Sequence, residues 1–313
     1  MAINLTFYLD AADLASAVSV YLDFNLVNLA PDGFYSNSTI VRQQSSGVLL
    51  EATICEECLP PCGGLISVSD KEGIYLLEIG LGSTSSDVGA VIIRFDPSDV
   101  PDGIRAIYDS VVYNKLSSPV DGVHQSGNPG NFTIIGNVNT TSGCSESWYP
   151  SGGSVIVDEY LYEGNSFSLT GDSQTIEIDS NDISLGDPPG NSIMVIPKLN
   201  GTPNIINIQV LGPCSSTKWD INISCPALLP SFSSSQMQTN TNIGCMKDID
   251  QTFYFAKVHL ASDTFVGLYD YVFADAYGQF SLADGYYLTD NVASPNKTLK
   301  VLNGIVVSIT NCI

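Results

Sequence analysis

LAPDGFYS, Leu29 to Ser36, returns near the other end of the chain as LADGYYLT, Leu282 to Thr289. The echo extends outward, because TFY at Thr6 to Tyr8 and LAS at Leu14 to Ser16 reappear with the same internal spacing as Thr252 to Tyr254 and Leu260 to Ser262. The chain therefore writes one module twice. In each copy an Asp-Gly corner, Asp32-Gly33 or Asp284-Gly285, supplies a side-chain acceptor and a residue that tolerates φ > 0, which is the chemistry of a tight turn. Two aromatics follow the corner. Successive strand residues point to opposite faces, so one of each pair can enter a core while the other faces out. The first copy reads as a small β meander with a strand at Val18 to Leu22, a turn at Pro31 to Gly33 and a closing strand within Gly47 to Ile54. The second runs from Gly267 to Tyr271, through Tyr286-Tyr287, to Ile305 to Ile309.

Between the copies, strand signals dominate. β-branched or alternating runs recur at Ile74 to Leu81, Gly89 to Phe95, Ile104 to Tyr113, Asn131 to Ile135, Ser154 to Tyr162, Thr175 to Asp179, Ile193 to Pro197, Ile205 to Leu211 and Trp219 to Cys225. Turns such as VPDG at 100 to 103 and GDPPG at 186 to 190 separate them. The expected fold is all-β: a central, jelly-roll-like β-sandwich flanked by two similar small β-meander modules, with very little helix. The expected divisions are 1–62, a module with a Cys-rich end; 63–230, the sandwich, or two small ones split near 140–150; and 231–313, the module that repeats the first. The best helix candidate is Asp10 to Ser19, for one or two turns. The polar stretch Ser231 to Asn242 reads as a linker or exposed loop.

The formal charge is -22, from 11 Lys+Arg against 33 Asp+Glu. A surface so acidic repels phosphate backbones and anionic lipid, which excludes nucleic acid and membrane insertion from the expected partners. Charged residues are only 14% of the chain and hydrophobic residues 44%, a balance that fits a surface partly covered by other subunits in a homo-oligomer. No apolar run reaches the roughly 18 residues of a membrane span, and MAINLTFYLD has neither the basic start nor the apolar stretch of a secretory signal. Synthesis in a cytoplasm is expected. The sequons at Asn37, Asn131 and Asn222 then carry no glycan.

Cysteines stand at 55, 58, 62, 144, 214, 225, 245 and 312. Cys55, Cys58 and Cys62 are candidate zinc ligands, since a C-x-x-C knuckle can place two thiolates on one ion, but no fourth ligand stands at an expected spacing and no cofactor is expected. Cys214 and Cys225 flank one hairpin and are either paired or small buried hydrophobes. Asp96, Asp99 and Asp102 recur every three residues and Asp179, Asp182 and Asp187 cluster, as oxygen ligands of a hard cation do, although solvated loops account for both. The chain has 2 histidines, His124 and His259, and no nucleophile elbow, phosphate loop or H-E-x-x-H motif. It is not expected to be an enzyme.

YLDFNLVNLAPDGFYSNSTIVRQQSSGVL, the C-x-x-C that follows, and GAVIIRFDPSDVPDGIRAIYDSVVYNKLSSP resemble segments of virion structural proteins of tailed phages that infect Bacteroidota, including crAss-like phages. The resemblance spans the first half of the chain. It implies a non-enzymatic component of a virion, in the tail, its fibres or another appendage, whose partners are other virion proteins. Tyr21, Phe34, Tyr35, Tyr269, Tyr286 and Tyr287 are the expected packing or contact residues, because aromatics are enriched in interface hot spots. Two alternatives use the same sandwich. A carbohydrate-binding adhesin serving host attachment would stack a surface glycan on Trp148, Tyr149 or Trp219, and a polysaccharide depolymerase would need two converging carboxylates.

Overall fold

A computed structural model describes residues 6–37, 40–54, 59–69, 71–82, 87–98, 100–113, 132–136, 152–178, 183–185, 193–258, 264–290, 292 and 297–312. It is nearly all β and divides into two compact units, Met1–Pro60 and Pro61–Ile313.

In the first unit β1 (Tyr8–Leu9) pairs with β2 (Val20–Tyr21), while β3 (Gly33–Ser36), β4 (Ile40–Ser45) and β5 (Val48–Leu49) form an antiparallel meander with β6 (Thr53–Ile54) on β4. The Leu49 N–H donates to the Val18 carbonyl at 2.8 Å, so the path runs β1-β2-β5-β4-β3. Leu14, Ala17, Val20, Ala30 and Leu49 form its core. Gln44 is buried with them; it accepts from the Val20 N–H at 2.6 Å and donates to the Ala30 carbonyl at 2.8 Å, as a buried amide must. The expected helix at Asp10 to Ser19 is absent. This segment forms turns, and Arg42 explains why: its guanidinium takes the carbonyls of Leu14, Ala15 and Ala17, which a helix would need for itself.

The second unit begins with β7 (Leu65–Ser69), β8 (Gly73–Gly80), β9 (Gly89–Asp96), β10 (Asp102–Tyr108), β11 (Val111–Tyr113) and β12 (Thr133–Gly136). It continues through β13 (Gly153–Tyr162), β14 (Phe167–Ile178), β15 (Ile183–Leu185), β16 (Ile193–Lys198), β17 (Ile205–Gly212) and β18 (Lys218–Ile223). One sheet has the order β14-β13-β8-β17-β10-β12-β15 with β11 on β10, and the other β16-β9-β18-β7. Lettering β7, β8, β9, β10, β12, β16, β17 and β18 from A to H gives A-H-C-F facing B-G-D-E, which is jelly-roll order. The β13-β14 hairpin extends one sheet beyond this plan by pairing in parallel with β8.

Alternation on the strands fills the space between the sheets. Tyr75, Leu77 and Ile79 face Val91, Ile93 and Phe95 across it, and Trp219 sits among them with its ring 5.2 Å from that of Tyr75. The run read as one strand, Ile104 to Tyr113, is a hairpin, because Asp109 and Ser110 both take positive φ (49° and 65°) and turn the chain back. A disulfide from Cys62 to Cys225, with Cα atoms 4.9 Å apart, joins the entry of the unit to the end of β18.

The Asp102 carboxyl is fully buried and accepts the Thr217 hydroxyl. It therefore faces the interior, away from any cation shared with the exposed Asp96, while Asp99 lies outside the described residues. Burial raises its pKa well above the carboxylate range. A raised folded-state value means that the fold holds the proton more tightly than the unfolded chain does. This contribution is complete below about pH 4, where the unfolded carboxyl titrates, and is lost as pH rises toward the folded value. Asp102→Asn removes that slope, so urea titrations should show the substituted chain gaining on the native one between pH 4 and pH 7; a constant difference would contradict the burial of this group.

Pro61–Ile313 ends in a closed barrel: β19 (Ser231–Ser234), a one-turn helix α1 (Thr241–Gly244) capped by Asn240, then β20 (Gln251–Ala256), β21 (Tyr271–Phe273), β22 (Gly285–Thr289), β23 (Lys297–Leu302) and β24 (Ile305–Asn311). The strands close in the order β19-β20-β21-β24-β23-β22. Ser231 to Asn242 is thus no linker, since it supplies the closing strand. Cys245 and Cys312 are bonded, which ties the turn after α1 to the end of β24.

Candidate docking faces on twin modules

The two ends of the chain share a set of equivalent pairings and hydrogen bonds. Tyr8 pairs with Tyr21 and Tyr254 with Phe273, while Tyr21 bridges Leu29 as Phe273 bridges Ser281. The Ala30 N–H donates to the Val20 carbonyl at 2.8 Å, and Leu282 to Val272 at 2.9 Å. Asp32 accepts from the N–H groups of Ser46 and Gly47, and Asp284 from that of Asn303. Both receiving turns have two positive φ values, 54° and 76° at Ser46-Gly47, 52° and 72° at Asn303-Gly304. The Tyr35 hydroxyl donates to the Pro31 carbonyl and the Tyr287 hydroxyl to that of Ala283. Phe7 meets Tyr35 edge-on at 5.1 Å, and Phe253 meets Tyr287 edge-on at 5.7 Å. The repeated Asp-Gly-aromatic phrase thus encodes a corner locked at both ends, by the carboxylate and by the phenol.

The phenols confirm the alternation. Tyr287 is 1% exposed in the barrel core, and burial, then the charge of Asp284, pushes its pKa up to about 12. Tyr35 is raised for the same reasons, with Asp32 in the second role. Of the two preceding aromatics, Phe34 is 74% exposed and Tyr286 half-buried.

The outward face of the β20-β21 pair is largely covered. Tyr254, Ala256, Tyr271, Phe273 and Ile305 pack with Ala90, Ile193 and Val195 on the outer face of the jelly roll, with Tyr269 and Ile92 beside them. Two close approaches make the seat. Gly89, at φ 143°, has the Ala227 backbone where a Cβ would lie, 2.2 Å away, so that Ala227 can bond to Ala90. Gly278, at φ 74°, lets its loop come so near that a Cβ would stand 2.6 Å from Val195. Arg94 reaches across to the Lys257 carbonyl at 2.8 Å.

In the first unit the positions equivalent to Tyr254, Ala256, Tyr271, Phe273 and Ile305 are Tyr8, Asp10, Ser19, Tyr21 and Val48, with Phe24 and Leu26 on the adjoining loop. Leu26 takes the left-handed conformation of Gly278, at φ 57°, and Phe24 stands where Ala276 does. Asp10 and Ser19 are its polar members, and the rest is apolar or aromatic and at least partly exposed: Phe24 is 80% exposed and Val48 49%, with Phe24 edge-on to Tyr8 at 6.0 Å. Val27 and Phe34 add to the exposed apolar surface. So many large apolar side chains exposed on so small a unit make this face a candidate interaction surface.

The six expected aromatics thus divide: Tyr21 lies on the open face, Tyr269 on the occupied one, Phe34 is exposed, Tyr286 is half-buried beside Gln238, and Tyr35 and Tyr287 hold corners. Tyr8 belongs to the repeated TFY phrase, whereas Phe24, Leu26 and Val48 carry no signal in the sequence, and Phe24 answers to no aromatic in the second copy. Two other expectations are corrected. Trp219 is fully buried and offers no face to a sugar, while Trp148 and Tyr149 lie outside the described residues. Cys62 is bonded to Cys225, which removes its thiolate from any zinc site and removes Cys225 from a pairing with Cys214; Cys214 is itself disulfide-bonded. Cys55, Cys58, His124 and His259 lie outside the described residues, among which no group of three or more His, Cys, Asp or Glu is placed to hold a metal ion. No helix among those residues is long and apolar enough to cross a membrane.

Comparison with protein-family models, with curated proteins and with solved structures finds no match.

Proposed function

We propose that this chain is a structural or adaptor component of a bacteriophage virion, in the tail or another appendage, and that it works by docking rather than by catalysis. One observation supports the docking: the face by which the barrel sits on the jelly roll has a counterpart on the first unit whose Phe24 and Val48 are exposed. The virion setting rests on the phrases Tyr21 to Leu49 and Gly89 to Pro119 and on their resemblance to tailed-phage structural proteins. In this reading the jelly roll is the rigid body, the barrel is a permanently seated copy of the module, and the first unit carries the free copy to a neighbouring virion protein. A chain lacking Met1–Pro60 should keep the thermal transition of its remaining unit yet be missing from assembled particles. Its incorporation at the level of the full chain would defeat the proposal.

A further inference from the structure

The first unit follows the barrel's strand path with one omission. Strands β1-β2-β5-β4-β3 answer to β20-β21-β24-β23-β22, and among the described residues no strand lies where β19 joins β22 to β20. In the barrel this place is taken by an extended segment, Ser231 to Gln238. Its Ser235 N–H donates to the Leu288 carbonyl at 2.8 Å, and Gln238 and Tyr286 exchange N–H···O bonds of 2.9 Å. Phe232 points inward from it, with its ring 6.1 Å from those of Phe253 and Phe255.

The counterparts of Tyr286 and Leu288 are Phe34 and Ser36, so the edge of β3 presents their N–H and C=O groups outward. Phe7, like its counterpart Phe253, is half-buried, and the counterparts of two other side chains of the barrel core are less covered. Leu9 and Tyr35 are half-buried, where Phe255 and Tyr287 are buried. We infer that the first unit is an acceptor for a strand from another protein: an extended segment in which small hydroxyl residues alternate with one inward aromatic, running between β3 and β1. Strand addition supplies main-chain bonds for affinity and a side-chain pocket for selection. A second copy of a chain with charge -22 is disfavoured as donor by like-charge repulsion. The inference deepens the docking reading by naming the form of the partner.

The probe is a synthetic peptide of residues 229–238, LPSFSSSQMQ, added to the full chain. Amide hydrogen exchange at Phe34 and Ser36 should slow by about tenfold or more at saturation. Aspartate in place of the peptide's phenylalanine should weaken binding about 10- to 100-fold, as expected from losing one buried aromatic. Ser36→Pro removes an outward N–H from an edge strand, where proline is tolerated, and should abolish the slowing at an unchanged thermal midpoint. Unslowed exchange at millimolar peptide, or equal binding by the Ser36→Pro chain, overturns the inference. Slow exchange at Phe34 and Ser36 in a dimer without peptide also overturns it, by assigning the edge to a second copy. Should the peptide fail while loss of Met1–Pro60 still prevents assembly, the strand acceptor falls and docking through Phe24 and Val48 stands.

Discussion

Replacing Cys62 and Cys225 together by serine is expected to lower the unfolding free energy of the larger unit by about 4 to 5 kcal/mol. The bond spans 163 residues and encloses nearly the whole jelly roll, so the unfolded chain gains the entropy of a very long loop when it is cut. That figure is an upper estimate, because compact denatured chains recover less freedom. The native contacts offset little of it, since Cys62 is only partly buried at the edge of the core. Guanidinium titration under non-reducing conditions reads the effect as a shift of midpoint. A loss below about 1 kcal/mol would mean that the two strand ends are held by the sandwich alone.

Phe232→Ala should cost about 3 to 5 kcal/mol, the range for a buried aromatic cut to a methyl group. Its consequence is local as well as large. Strand β19 has this single large anchor, its other inward side chain being Ser234, so the barrel should open along β19 before the jelly roll yields. Hydrogen exchange should then accelerate at Ser235, Tyr286 and Leu288 while Val210 and Ile221 stay slow. The barrel would become an image of the first unit. Uniform acceleration would show instead that barrel and sandwich unfold together.

The sandwich was legible in the sequence because its strands are continuous apolar, β-branched runs buried on both faces: Ile74 to Leu81 and Ile193 to Pro197 stand close to β8 and β16. The corners were legible because only a few residues can make them, a carboxylate at Asp32 or Asp284 and a flexible glycine after it. Strand β19 was hidden, since it closes the barrel through backbone bonds and serine hydroxyls around one phenylalanine, a composition that otherwise means a loop. The second copy's opening strand lies at Tyr271–Phe273, displaced from the expected Gly267 to Tyr271, because the segment between β20 and β21 is longer than that between β1 and β2. The LAS echo at 260–262 lies outside the described residues, so only the surrounding pairs fix the true register. The Cys62–Cys225 bond, the burial of Trp219 and the capture of Leu14, Ala15 and Ala17 carbonyls by Arg42 depend on contacts between distant residues, which no local pattern announces. The open face was missed for the same reason: Phe24 and Val48 stand out only when the seated copy shows which side of that module packs on the jelly roll.

Hydroxyl-radical footprinting of the chain, free and in its native assembly, tests the docking face most directly. Tyr8, Tyr21 and Phe24 should lose reactivity on assembly, while Trp219, buried throughout, stays unreactive and Met246, exposed on the barrel, stays reactive. Equal reactivity of Phe24 in the two states would contradict the account.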